Sequence, residues 1–209
     1  ANGVSRLHGA VARHMWQPLW HGVPEPLVPI GAVTNGVHLA SVVAPRMKAL
    51  LDGHLGAGWE RAPADAPVWN QVDTIPDEAL WAAKTAMKEA LLERIREQVT
   101  ERLHQRGASR AAREAALSRL DPRALLLVFA RRFAPYKRAT LILSDPNRLA
   151  ALLQQPDRPI LLVFAGKAHP EDVWGQELIQ TITTAADDPR FAGRLLFLED
   201  YDLGLARAL

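Results

Sequence analysis

Eight consecutive residues, Arg131-Arg132-Phe133-Ala134-Pro135-Tyr136-Lys137-Arg138, carry four cations. A guanidinium offers a two-pronged N–H fork that matches phosphate or carboxylate, and an ammonium adds a compact point charge. Such a cluster reads either as an anion site or as a solvated basic turn. Two further stretches hold chemistry of the same kind. In Gly166-Lys167-Ala168-His169-Pro170 the glycine permits close backbone approach, and Lys167 can meet an anion or pair with a carboxylate near Glu199. His169 has the chemistry of a general base, although a polar residue at a helix start is the plainer reading, with Pro170 opening that helix. Glu199-Asp200-Tyr201 can hold a sugar hydroxyl, yet a cap for the following helix is the simpler role. His8, His14, His21, His38 and His54 show no metal-ligand spacing, and no metal site is expected.

These stretches gain meaning from the elements that must position them. Residues 124–130, 159–165 and 195–198 are apolar runs without alternation, as expected for strands buried on both faces. Helical patterns over 138–153 and 170–185 separate them, and a helix is expected after Tyr201. Strand–helix–strand–helix–strand is the pattern of a parallel sheet with crossover helices, so residues 121–209 read as the first half of a Rossmann-like domain. In an open parallel sheet, ligands bind beyond the carboxyl ends of the strands. All three chemistry-bearing stretches follow a strand directly, and the first is expected beside a helix N-terminus that would add N–H donors.

Upstream, Val4, Leu7, Val11 and Met15 recur at helical spacing. A Pro-rich loop follows, then a short buried strand at 30–33 ended by Thr34-Asn35-Gly36, in which Asn-Gly signals a turn. Pro45 opens a helix to about Leu55. Pro76, Asp77 and Glu78 suit a first helical turn, Leu80, Met87, Leu91, Ile95 and Val99 mark the long helix that follows to about Arg106, and Ser109 caps another.

The chain has 209 residues, 48% hydrophobic and 23% charged, with a net charge of +2. That balance excludes a disordered tail and lacks the basic excess of a nucleic-acid binder. The apolar runs are too short to cross a bilayer. Cysteine is absent, which excludes disulfides and thiol catalysis and fits a reducing cytoplasm. The first residue is Ala1 and the last residues read as a helix just beginning, so a piece of a longer polypeptide is expected.

Five segments in order carry a family resemblance: Asn2-Gly3-Val4-Ser5-Arg6-Leu7-His8, Thr34-Asn35-Gly36-Val37, Arg131 through Arg138, Ala165 through Pro170, and Leu196 through Tyr201. Their order and spacing resemble the α-glucan phosphorylases of glycogen, starch and maltodextrin, and residues 129–138 resemble the shorter bacterial and archaeal branch. The resemblance implies a GT-B fold, two Rossmann-like domains facing across a cleft. Residues 1–36 would then end the N-terminal domain and cross over, 37–120 would form a helix-rich segment, and 121–209 would begin the C-terminal domain. It also implies pyridoxal phosphate, whose phosphate group acts as acid and base, with the attachment lysine outside this chain. The implied reaction is phosphorolysis of terminal α-1,4-glucosyl units to glucose 1-phosphate, with α-1,4-glucan and inorganic phosphate as partners, neither nucleic acid nor membrane, and room for a homo-oligomer. Arg132 and Lys137 correspond to ligands of the substrate phosphate, and Arg131 to a cation touching the cofactor phosphate. Tyr136 and Asn35 correspond to residues lining the glucosyl pocket, and Val4 to its wall. Where long-form members carry a His and an acidic residue, this chain has Phe133, Ala134 and Pro135, so gate-loop control of the arginines does not carry over. Two rivals stand beside this reading. A nucleotide-sugar glucosyltransferase of the glycogen or starch synthase type also spaces Arg and Lys five apart, and a glucan-binding module would lack catalysis. The chain by itself is expected to be inactive.

Overall fold

Small residues set the packing of the segment 1–42, the first of two compact units in the computed structural model, which describes residues 1–191 and 193–209. Strand β1 (Asn2–Gly3) pairs in parallel with β2 (Gly31–Ala32), which is exposed rather than buried as its apolar run suggests. Helix α1 (Arg6–Trp16) packs on them so closely that a Cβ on Gly3 would overlap the Gly9 backbone, and one on Gly9 would lie 2.9 Å from the Ala32 Cβ. Ala12, Val28 and Ile30 form the small core.

The helical spacing upstream gives α1 as expected, but the face it buries and the Asn-Gly segment that follows differ from expectation. The apolar stripe of α1 is not its buried face: Leu7 is 76% exposed, while Gly9 and Ala12 are buried. Spacing identifies a stripe, but close backbone contact selects the face with the smallest side chains. Thr34-Asn35-Gly36 is not a turn of the Asn-Gly type either, since neither Asn35 nor Gly36 has a positive φ. The chain instead runs on beside the end of β1. The Val33 N–H donates to the Gly3 carbonyl (2.9 Å) and the Asn35 N–H to the Val4 carbonyl (3.4 Å). Helix α2 (Leu39–Val42) ends this unit.

The second unit, Val43–Leu209, is α/β. Helix α3 (Pro45–Leu55) starts at its proline and stops at Gly56, whose φ is 75°. Helix α4 (Asp77–Gln105) runs for 29 residues, and α5 (Arg110–Leu117) is capped by Ser109, whose Oγ accepts from the Ala112 N–H. Strands β3 (Leu125–Ala130), β4 (Ile160–Ala165) and β5 (Leu195–Leu198) form a parallel sheet in that order, as the apolar runs predict. Strand residues alternate between two cores. Leu161, Val163 and Ala165 pack with Leu92, Ile95 and Val99 of α4, and with Leu205 of α8 (Leu203–Ala208). Leu162 and Phe164 pack with Leu149 and Leu153 of α6 (Pro146–Leu153), with Ile182 of α7 (Val173–Ala186), and with Phe133. Among the described residues, no helix is long and apolar enough to cross a membrane.

The differences from expectation are local. Strand β3 is not buried on both faces, because among the described residues it lies at the sheet edge, and Leu125 is 58% exposed. The pattern over 138–153 yields only one α-helix, α6. Before it come two single 3₁₀ turns, Pro135–Lys137 and Leu141–Leu143, separated by the left-handed Arg138 (φ 56°). Asp145-Pro146 then restarts the helix: the residue before a proline is pushed out of α geometry, and the Asp145 side chain accepts from the Arg148 N–H. Pro170 does not open α7, which begins at Val173 with Asp172 as its cap. Nor do Glu199, Asp200 or Tyr201 cap α8, since Asp202 does so.

Candidate functional site

The cationic loop begins as a continuation of β3. The Arg131 N–H donates to the Ala165 carbonyl (3.2 Å) and the Phe133 N–H to the Lys167 carbonyl (3.1 Å), which carries the ladder past the end of β4. Gly166 lies opposite, with φ 151°. A Cβ there would overlap the Arg131 carbonyl oxygen and lie 3.0 Å from Phe133 Cε2. Only glycine permits both that backbone angle and that approach. Phe133 is fully buried, its ring centroid 5.7 Å from Phe129 and 5.9 Å from Phe197. At the start of α7, Gly175 brings the helix against the loop, since a Cβ there would lie 2.6 Å from the Phe133 carbonyl oxygen. Arg132 thus stands between two anchored neighbours while remaining exposed.

The 3₁₀ turn Pro135–Lys137 presents Tyr136 and Lys137 together, with Lys137 Nζ 4.6 Å from the Tyr136 ring centroid and Tyr136 73% exposed. A three-residue turn has no helix dipole of consequence, so the expected helix N-terminus adds nothing to this loop. Charge carries the site instead. Some arginines elsewhere are neutralised by neighbours: Arg123 binds Asp121, and Arg190 binds Asp188. Hydrogen bonds from those arginines hold both aspartates below the usual carboxylate range. Among the described residues, no carboxylate pairs with Arg131, Arg132, Lys137 or Arg138. Four cations without a carboxylate partner among the described residues thus stand on a pinned loop at the carboxyl end of β3, a set of donors of the kind that can take up an anion.

The neighbouring stretches take smaller parts. His169 Nδ1 accepts from the Glu171 N–H (3.2 Å), as a polar turn residue does. Lys167 makes no ion pair among the described residues, but its charge helps to hold Asp202 below its ordinary value. The Leu205 N–H is the main cause of that shift, and Arg94 also adds to it.

In the first unit the structure places Val4 beside Asn35 through the hydrogen bond already described. Val4 is half exposed, and the Asn35 side-chain amide is exposed with no partner among the described residues. The Val4 N–H donates to His8 Nδ1 (3.1 Å), and the His8 N–H donates to Ser5 Oγ (3.0 Å). Sequence reasoning missed Phe133, Gly175 and His8 as supports. The Ser5-x-x-His8 spacing, that of a helix-capping pair, was the available signal for the last.

No protein-family model matches the chain. Among curated proteins, it is 39% identical over 208 residues to a maltodextrin phosphorylase from Thermococcus litoralis and 41% identical over 209 residues to a glycogen phosphorylase from Mycobacterium tuberculosis. A glycogen phosphorylase from Aquifex aeolicus is 38% identical over 205 residues. These matches take in 98–100% of the chain, which spans only 24–29% of the length of those relatives.

Proposed function

We propose that this chain, homologous over its whole length to the glycogen and maltodextrin phosphorylases, supplies the phosphate clamp and part of the sugar wall of an α-1,4-glucan phosphorylase. The observation that carries the reading is the set of unneutralised cations on the loop pinned by Gly166 and Phe133. Side chains of successive residues in extended chain project to opposite sides. Arg131 and Arg132 therefore suit two different anions better than one. In this reading Arg132 and Lys137 hold the substrate phosphate, and Arg131 meets the phosphate of pyridoxal phosphate. The donor set fits that cofactor, because two phosphate groups held close together need several fixed positive charges between them. Bound there, the cofactor would supply an acid/base phosphate, with its lysine outside this chain. Asn35 and Val4 in the first unit, and Tyr136 in the second, are each candidate contacts for a glucosyl unit: an amide both donates and accepts, as a sugar hydroxyl does, and Tyr136 offers an exposed ring for the sugar face.

The segment then belongs to a GT-B enzyme, with residues 1–36 ending one domain, 37–120 forming the helix-rich segment, and 121–209 beginning the other. The lack of cysteine accords with a reducing cytoplasm. The test is incubation of the full-length protein with maltodextrin and inorganic phosphate. Glucose 1-phosphate formed only when phosphate is present is the expected product. Free glucose in the absence of phosphate, or chain extension from a nucleotide sugar, overturns the reading.

A further inference from the structure

We infer that His8 is a positioning residue for the sugar side of this site, holding Val4 and Asn35 in register through its Nδ1. The inference rests on the proposed phosphorylase reading for what Val4 and Asn35 touch, but its geometry stands by itself.

Val4 lies between two peptide groups, and each is held. Its N–H donates to His8 Nδ1 at 3.1 Å, and its carbonyl accepts the Asn35 N–H at 3.4 Å. Fixing both peptide planes around one Cα fixes where its side chain goes, since the backbone has only two soft dihedrals per residue. Asn35 takes its register from the same carbonyl.

His8 reaches Val4 because α1 begins two residues after Val4, at Arg6. Ser5 is the helix cap, in extended geometry, and its Oγ accepts from the His8 N–H at 3.0 Å. Ser5 and His8 therefore occupy the first and last places of a capping box, in which a Glu or Gln side chain would bond back to the cap residue's own N–H. Here an imidazole replaces the carboxylate and bonds one residue further back, to Val4. Accepting from an N–H requires an unprotonated Nδ1, so the proton resides on Nε2 and the ring is neutral.

The test is a set of three substitutions in the full-length protein. In Asn the amide oxygen takes the place of Nδ1, and in Gln the amide nitrogen takes the place of Nε2. If His8 works through Nδ1, His8→Ala and His8→Gln raise the glucan KM about two- to tenfold, the size of one lost neutral hydrogen bond. His8→Asn restores it, and the phosphate KM stays unchanged in all three. Amide hydrogen exchange of Val4 and Asn35 reads the positioning independently of activity: both amides exchange about two- to tenfold faster in His8→Ala and His8→Gln, and as in the parent in His8→Asn. Rescue by Gln rather than Asn would overturn the proposal in favour of direct contact through Nε2. Unchanged exchange in His8→Ala would also overturn it. A parent protein that forms no glucose 1-phosphate would sink the phosphorylase reading, and the exchange measurements would still decide whether His8 holds Val4 and Asn35.

Discussion

Replacing Gly166 by alanine adds one carbon atom at the place where the cationic loop is pinned. The new Cβ would overlap the Arg131 carbonyl oxygen and lie 3.0 Å from Phe133 Cε2, at a residue whose φ of 151° disfavours any side chain. Phe133 cannot yield easily, because it is fully buried against Phe129 and Phe197. The arginine strand must therefore retreat, by roughly 1 Å, to restore van der Waals contact. Backbone strain of about 1–3 kcal/mol and overpacking of similar size set the stability loss. A misplacement of about 1 Å at a positioned catalytic group lowers turnover by up to a hundredfold. The assay is initial rate against phosphate at saturating maltodextrin, with melting temperature measured alongside. Phosphate kcat/KM should fall about ten- to a hundredfold while glucan KM changes little. Gly53→Ala, within α3 and with open space at its Cβ, is the control and should stabilise by roughly 0.5–1 kcal/mol with normal kinetics. A folded Gly166→Ala enzyme with parental phosphate kinetics would refute the pinning argument.

Asn35→Ala should lower catalytic efficiency by about 0.5–1.5 kcal/mol, and Asn35→Asp should be no better, because a carboxylate cannot donate to a sugar hydroxyl; near-normal kinetics for Asn35→Asp would remove Asn35 from the proposed sugar contact. Phe133→Ala, which empties a fully buried aromatic site, should destabilise by about 3–5 kcal/mol and broaden phosphate dependence, as followed by denaturant unfolding and kinetics. Asp52 is held below its ordinary value by Lys48 and Trp59, Asp121 by Arg123, Asp188 by Arg190, and Asp202 by the Leu205 N–H. A lowered carboxylate value means stability that is complete above the ordinary range and lost as pH falls through the folded values. Melting temperature should therefore stay level on mild acidification and drop below about pH 4, and a drop beginning near neutrality would contradict the assignment.

The second unit was largely legible from its sequence. Uninterrupted apolar runs at 124–130, 159–165 and 195–198 announce parallel strands, and the positions of Leu91, Ile95 and Val99 announce α4. What was hidden depended on contacts between distant residues. Asn35-Gly36 has the composition of a turn, but pairing with Val4 offered its backbone a better partner. The apolar stripe of α1 lost to Gly9 and Ala12, because approach to β2 rewards small side chains. Arg138 in a left-handed conformation has no local signal, and it breaks the helical pattern that follows it. Several polar residues preceded α7 and α8, so the caps Asp172 and Asp202 could not be told from their neighbours. At the site, the cations were visible by type and spacing, whereas their anchoring by Phe133 and Gly175 appears only once β3, β4 and α7 are assembled.

Phosphate dependence of Arg132→Ala in the full-length protein tests the central claim most directly. If the pinned cations hold the substrate phosphate, loss of a charge-assisted contact worth about 1.5–3 kcal/mol raises phosphate KM roughly ten- to a hundredfold, with melting temperature and glucan KM close to the parent. The same phosphate KM in mutant and parent, at unchanged melting temperature, would show that Arg132 is a solvated surface arginine and contradict the account.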